Sequence, residues 1–344
     1  MRYKLLGNSG LRVSELALGT MTFGEDWGWG AGREACAEMF DQYVDAGGNF
    51  VDTANNYTNG TSEGVVGDLL EGRREEFVLA TKYTLNTREG DPNAGGNHRK
   101  NLFQAVDASL DRLNTDYIDL LWVHAWDGMT PIEEVMRGLD DLVTRGTVHY
   151  IGFSDAPAWV VADAQRLTLE RNLTPLSAIQ IKYTLTERTP ERELLPMARA
   201  FDLGVVVWGP LDGGLLTGKY LDEEGETDEG RLRTLDREIT DQQHAVAREV
   251  VAVADELGVS AAQVALAWVR QQPGQQLPIL GATKPSQLAD NLASLDLTLD
   301  DAQLARLDGV SAVDMGFPHD FLDDDTIENV IFGGTKDLID PYGE

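Results

Sequence analysis

The chain has 344 residues, 42% of them hydrophobic, with 58 acidic against 28 basic side chains and a net charge of −30. That length supports a large buried core, and that charge opposes the phosphate backbone, so nucleic acid is excluded as a partner. Cys36 stands alone, no apolar run is long enough to span a bilayer, and the amino terminus carries no apolar leader. The expected setting is therefore a reducing cytoplasm, with no disulfide framework and no membrane partner.

In chain order, residues 2–6 and 11–14 flank Gly7-Asn8-Ser9-Gly10 and predict a short β-hairpin. Apolar runs then alternate with helical patterns. Strands are predicted at 15–19, 49–52, 77–82, 117–124, 148–154, 177–182, 204–209 and 277–281, with helices at 33–46, 101–113, 132–144, 158–170, 194–201 and 260–271. Eight such units over one continuous chain, 1–344, predict an α/β fold of the (β/α)8 TIM-barrel type, in a single domain. The strands are apolar on both faces, as strands buried beneath helices are. A doubly wound sheet is disfavoured because no strand runs into G-x-G-x-x-G; the Gly28-Trp29-Gly30-Ala31-Gly32 stretch has the wrong spacing. Residues 24–32 read instead as a loop beside the mouth, with Trp27 and Trp29 as walls. The acidic, glycine-containing stretch 222–230 reads as a surface loop.

Polar residues at the carboxyl ends of barrel strands point into the ligand crevice. Phe50-Val51 ends in Asp52, with Tyr57 five residues on; the strand through Ala80-Thr81 ends in Lys82; the strand through Trp122-Val123 ends in His124. An acid, a phenol, an amine and an imidazole delivered by three successive strands form an acid/base set. A free phenol has a pKa near ~10, and a neighbouring ammonium favours the phenolate, so Lys82 is expected to pull Tyr57 downward while Asp52 keeps Lys82 charged. The five histidines and Cys36 show no metal-ligand spacing, and no metal is expected.

The spelling Asp52-Thr53-Ala54-Asn55-Asn56-Tyr57, then Thr81-Lys82, then Trp122-Val123-His124, resembles the aldo-keto reductase family, whose Asp, Tyr, Lys and His tetrad comes in this order. The likeness runs along nearly the whole chain, through Gly152-Phe153-Ser154-Asp155, Gln180 to Tyr183, Trp208-Gly209-Pro210-Leu211, Gly214 to Tyr220 and Pro278 to Ala282. It is nearest to the branch similar to potassium-channel β subunits and aryl-alcohol dehydrogenases. The resemblance implies an NADP(H)-dependent reduction of an aldehyde or ketone, with Tyr57 as general acid and His124 orienting the carbonyl oxygen. It also implies a cofactor site. Gly19 and Thr20 would line it, and Ser154, Asp155 and Gln180 would hold the nicotinamide carboxamide beneath the ring of Tyr183 or Trp208. Gly209, Pro210, Leu211, Gly214 and Lys219 would cover the pyrophosphate, with Gly281, Lys284, Gln287 and Asn291 at the adenosine end.

Asp155 departs from the Asn common in the family, and Gly209 from Ser. Asp155 keeps an acceptor for the carboxamide, and Gly209 keeps its backbone. A lysine at 284 neutralises a 2′-phosphate as a point charge, without the fork of arginine. The tail from 313 to 344 is expected to close over the pocket, as carboxyl-terminal segments do in this family. A second class, a cofactor-binding regulatory subunit like the channel-associated members, would need an exposed apolar docking patch, which so acidic a chain opposes. On residues alone, two other barrel chemistries stay open: Lys82 as a Schiff-base nucleophile, and Asp127 with Asp212 as a carboxylate pair. Oligomeric state stays open.

The surplus of carboxylates with only seven lysines is the composition of proteins from salt-rich cytoplasm, where counter-ions screen mutual repulsion. Charges interact over ~10 Å at about 0.1 M ionic strength and ~3 Å at about 1 M. Melting temperature is therefore expected to climb steeply in KCl between roughly 0.1 and 3 M, because a domain is stable by only ~5–15 kcal/mol. A nearly flat curve in thermal unfolding would exclude a halophilic protein.

Overall fold

The computed structural model describes residues 1–221 and 238–340, so the stretch read as an acidic loop, 222–230, lies outside the described residues. The hairpin forms as expected, from β1 (Tyr3–Leu5) and β2 (Arg12–Ser14), with Lys4 opposite Val13. Eight parallel strands follow: β3 (Ala17–Gly19), β4 (Phe50–Asp52), β5 (Val78–Tyr83), β6 (Ile118–Val123), β7 (Val148–Ser154), β8 (Leu176–Lys182), β9 (Gly204–Trp208) and β10 (Gln276–Leu280). They close into a barrel in which β10 pairs with both β9 and β3, leaving no free edge. Each lies within two residues of its predicted span. The first starts two residues later than predicted, and Glu15 lies outside the ladder, accepting from the Arg2 amide at 2.8 Å and the Arg270 guanidinium at 3.1 Å.

Alternation along the strands splits the apolar residues into two layers. Phe50, Val78, Leu120, Trp122, Val206 and Leu277 turn inward and pack as one cluster inside the barrel. Leu6 and Val13 of the hairpin belong to the same cluster, so the hairpin plugs the amino-terminal end. The intervening residues, such as Leu121, Ile151 and Ile179, meet Leu102, Met136 and Val160 of the surrounding helices. Each large aliphatic side chain buried in this way contributes ~1.5–3 kcal/mol. With both faces of the sheet covered, the polar ends of the strands have only the carboxyl-terminal mouth to open into.

The tail takes a different course from the expected one. Arg192, just beyond β8, donates to the Asp314 carbonyl at 2.9 Å, and the His319 ring lies 3.2 Å from Glu193. These polar anchors hold the tail against the rim beside β8. Phe317 and Phe321 pair with each other 6.2 Å apart and face solvent, and no hydrogen bond from the tail reaches the catalytic side chains among the described residues.

Candidate active site

The four strand-end residues converge. Asp52 ends β4 and Lys82 lies on the adjacent β5, where pairing of Asp52 with Ala80 sets the lysine one step further along the barrel axis. The Lys82 ammonium is fully buried and uses its three N–H groups on Asp52 Oδ2 at 2.5 Å, the Thr53 carbonyl at 2.7 Å and the Tyr57 hydroxyl at 3.1 Å. Asp52 Oδ1 accepts from Trp122 Nε1 at 3.0 Å and Gln180 Nε2 at 2.9 Å. Tyr57 is carried on a single 3₁₀ turn, Tyr57–Gly60, which leads into the helix Thr61–Leu69. That helix is fastened by buried Glu63, which accepts from Thr81 Oγ1 at 2.6 Å and from Arg112 Nε at 2.7 Å.

Electrostatics correct one expectation. Burial raises the Tyr57 pKa; the Lys82 charge opposes this and the Asp52 charge adds to it, so the net direction is upward rather than downward. Tyr57 is a protonated phenol with a cation at its oxygen. Burial pulls Lys82 the other way, but Asp52 and Tyr57 together outweigh it and its pKa rises. An amine held charged with every proton donated is no nucleophile, which removes the Schiff-base reading.

His124 stands beside Tyr57, with ring centroids 5.9 Å apart and the rings nearly perpendicular. Its backbone N–H is shared between the Tyr83 carbonyl at 3.0 Å and Thr84 Oγ1 at 3.3 Å. Thr84 has φ of 113°, unusual for a β-branched residue, and is held there by Asn97 Nδ2 at 2.9 Å. Asn97 is fully buried and also donates to the Ala125 carbonyl at 2.9 Å, tying the loops after β5 and β6 together. Burial, helped by the Lys82 charge, depresses the His124 pKa to about 3, so the imidazole is neutral. The carboxylate-pair reading fails because both acids are occupied. Asp127 accepts from the Asn97, Met129 and Thr130 amides, and Asp212 forms an ion pair with Lys182 at 2.9 Å.

The remaining expected residues divide. Trp208 is 36% exposed at the mouth and its Nε1 donates to Asp155 Oδ1 at 3.0 Å. Tyr183 turns away: its ring packs on Trp268 at 5.3 Å and its hydroxyl donates to Glu191 at 2.7 Å, so of the two aromatics only Trp208 faces the mouth. Asp155 is open to water yet walled by protein, and that surrounding mass raises its carboxyl pKa against the Trp208 hydrogen bond. Ser154 Oγ is buried with no hydrogen-bond partner. Thr20 points elsewhere than expected, bonding the Asp52 carbonyl at 3.1 Å and Ser62 Oγ at 2.9 Å, and Gly19 pairs with Asp52 in the ladder.

After β9, Gly209, Asp212, Gly213 and Gly214 all have positive φ, with Pro210 buried and Leu211 half-buried among them. Gly214, at φ 93°, has the left-handed backbone that favours glycine, and the Lys219 amine lies over it, 2.8 Å from where a Cβ would stand. At the far end, Gln287 Oε1 accepts from the Thr283 and Lys284 amides at 2.9 and 3.2 Å, and Asn291 Nδ2 lies 3.5 Å from the Gly281 carbonyl. Lys284 is exposed at the start of the helix Pro285–Ala293 and forms no ion pair with a described residue. An orphaned buried hydroxyl, an exposed tryptophan face, a turn of left-handed glycines beside a lysine and a lysine at a helix start fit a nucleotide with anionic groups. Among the described residues no group of three or more His, Cys, Asp or Glu side chains is arranged to hold a metal ion.

All this chemistry sits at the carboxyl ends of the barrel strands, which makes the protein a barrel enzyme. Residues 15–312 match the profile of the Aldo/keto reductase family, and the chain belongs to that family. It is 37% identical to an aryl-alcohol dehydrogenase of Pestalotiopsis microspora over 93% of this chain and 85% of that protein. It is 39% identical to a norsolorinic acid reductase of Emericella nidulans over 91% of this chain and 82% of the relative. A putative aryl-alcohol dehydrogenase of Saccharomyces cerevisiae is 36% identical over 92% and 88%. The chain is thus an oxidoreductase, of a family that generally uses nicotinamide cofactors.

The depressed His124 pKa sets a pH dependence of stability. Unfolded, the imidazole titrates near ~6.5; folded, it titrates at about 3. Its contribution is full above about pH 6.5 and is lost as pH falls towards 3, because only the unfolded chain takes up the proton in that window. Urea midpoints measured between about pH 7 and about pH 4.5 should fall more steeply for the native chain than for His124→Asn. Equal slopes would mean that His124 titrates normally.

Proposed function

We propose that the protein reduces an aldehyde or ketone to an alcohol with NADP(H), and that Tyr57 is the general acid. The observation that carries this reading is the Lys82 ammonium bonded at once to Asp52, the Thr53 carbonyl and the Tyr57 hydroxyl. A carbonyl oxygen seated between Tyr57 and His124 meets a phenol proton on one side and an imidazole on the other. As negative charge builds on that oxygen, the Tyr57 proton moves to it and the phenolate left behind is stabilised at once by the Lys82 ammonium. Burial that raises the phenol's pKa keeps the proton in place until then. The bound nicotinamide supplies the hydride that reaches the carbonyl carbon. Ser154, Asp155 and the exposed face of Trp208 would hold its carboxamide and ring, the turn 209–214 with Lys219 its pyrophosphate, and Lys284 a 2′-phosphate.

The substrate is proposed to be an aryl aldehyde or ketone. Trp27 lies edge-on to Tyr57 at 6.4 Å and 5.5 Å from Trp29, so an aromatic wall stands beside the acid. Relatives named for aryl alcohols and for norsolorinic acid agree with that wall.

Oxidation of NADPH by a panel of aryl and alkyl aldehydes tests the whole reading, and no turnover with any of them would refute it. Tyr57→Phe should lower kcat by about three orders of magnitude or more while NADPH binding, followed by fluorescence titration, is unchanged. Full activity in that variant would take Tyr57 out of the reaction. Lys284→Met should weaken NADPH binding about ten-fold and leave NADH nearly untouched, as expected on losing one phosphate contact. Equal affinity of the native chain for the two cofactors would show that no 2′-phosphate is read there.

A further inference from the structure

We propose that Trp122 is a positioning residue of the acid/base unit, acting through Asp52, and that Gly152 is a glycine in order to make room for it. The proposal rests on the reading of Asp52, Lys82 and Tyr57 given above.

Trp122 is a fully buried tryptophan whose ring lies inside the barrel, and its Nε1 donates to Asp52 Oδ1 at 3.0 Å. Barrel interiors are filled by branched aliphatic side chains, so an indole there needs both volume and a polar partner. The ladder shows where the volume comes from. Trp122 pairs with Gly152 on β7, and Gly152 pairs in turn with Ala178 on β8. A Cβ built on Gly152 would stand 2.6 Å from Trp122 Cε3 and 2.7 Å from the Ala178 carbonyl, closer than any side chain tolerates. Gly152 has no left-handed backbone to explain it, since its φ is not positive. The missing side chain is space for the indole.

The indole governs the direction of the carboxylate. Lys82 takes Oδ2, and Trp122 and Gln180 take Oδ1, so the carboxylate plane is fixed at both ends. With the plane fixed, the ammonium is aimed at Tyr57. Without the indole N–H, Oδ1 carries more unshared negative charge and rotation towards Lys82 is less restrained. More negative charge near Tyr57 disfavours the phenolate. A hydrogen bond to a charged group matters by about ten- to a hundred-fold in rate.

The test uses the full chain. Trp122→Phe keeps a ring and removes the donor; Gly152→Ala keeps the donor and displaces it. Each should lower kcat for an aryl aldehyde by about ten- to a hundred-fold with its KM changed less than about threefold. Each should also move the alkaline rise of alcohol oxidation, which needs Tyr57 ionised, to higher pH. Because both act on one bond, the double variant should be no slower than the slower single one. The hydrogen bond is read independently of turnover from the Trp122 indole ¹H–¹⁵N resonance, assigned by its loss in Trp122→Phe. That resonance should shift in Asp52→Asn. Multiplying effects in the double variant, a pH profile unmoved in Trp122→Phe, or a resonance indifferent to Asp52→Asn would each overturn the proposal. If the native chain turns over no carbonyl while the resonance responds as expected, the function proposed above fails and the Trp122–Asp52 bond stands.

Discussion

A positive charge shut away from water constrains the rest of this structure. Lys82 is as buried as the leucines around it, and an ammonium in such a place persists only if every proton has somewhere to go. Asp52, the Thr53 carbonyl and Tyr57 supply those places, and each makes a demand of its own. Asp52 has a second oxygen to satisfy, which draws in Trp122 and Gln180 from strands across the barrel. Tyr57 has to be held on a turn too short to hold itself, which draws in Glu63, Thr81 and Arg112. The imidazole next door is buried, feels the same charge as well, and stays neutral. The closed parallel sheet is the frame that brings these partners from four different strands to within hydrogen-bond reach of one another.

Much of this was legible in the chain. Eight apolar runs, five of them ending in a polar residue and three in glycine, state the barrel and its working end, because strands buried on both faces leave no other reading of their length and spacing. The tetrad was legible through its spelling more than through its chemistry. What escaped was direction. Gln180 lies on β8 and Tyr183 is the first residue beyond it, so alternation carried one step past the strand turns the two to opposite faces. Gln180 faces Asp52 and Tyr183 faces Trp268, which leaves Trp208 as the aromatic at the mouth. Parity along the strand would have made that choice from sequence.

Two other features had no local signal. The upward shift of the Tyr57 pKa comes from desolvation, a property of how deep the phenol lies rather than of which cation is near it. Asn97 lies in a long loop after β5 with nothing in its neighbourhood to mark it, yet it is a fully buried link between that loop and the one that follows His124. A buried amide becomes recognisable as a link only once the two loops are seen side by side.

The hairpin that stops the amino-terminal end of the barrel has a bearing on traffic. With Leu6 and Val13 packed into the interior cluster, the barrel has a single doorway. Gln180 and Ser154 are buried near the ends of their strands, while Trp27 and Trp29 are half-buried beside Tyr57. Anything that reaches the buried strand ends has to come and go by that one opening, so arrival and departure compete for the same passage.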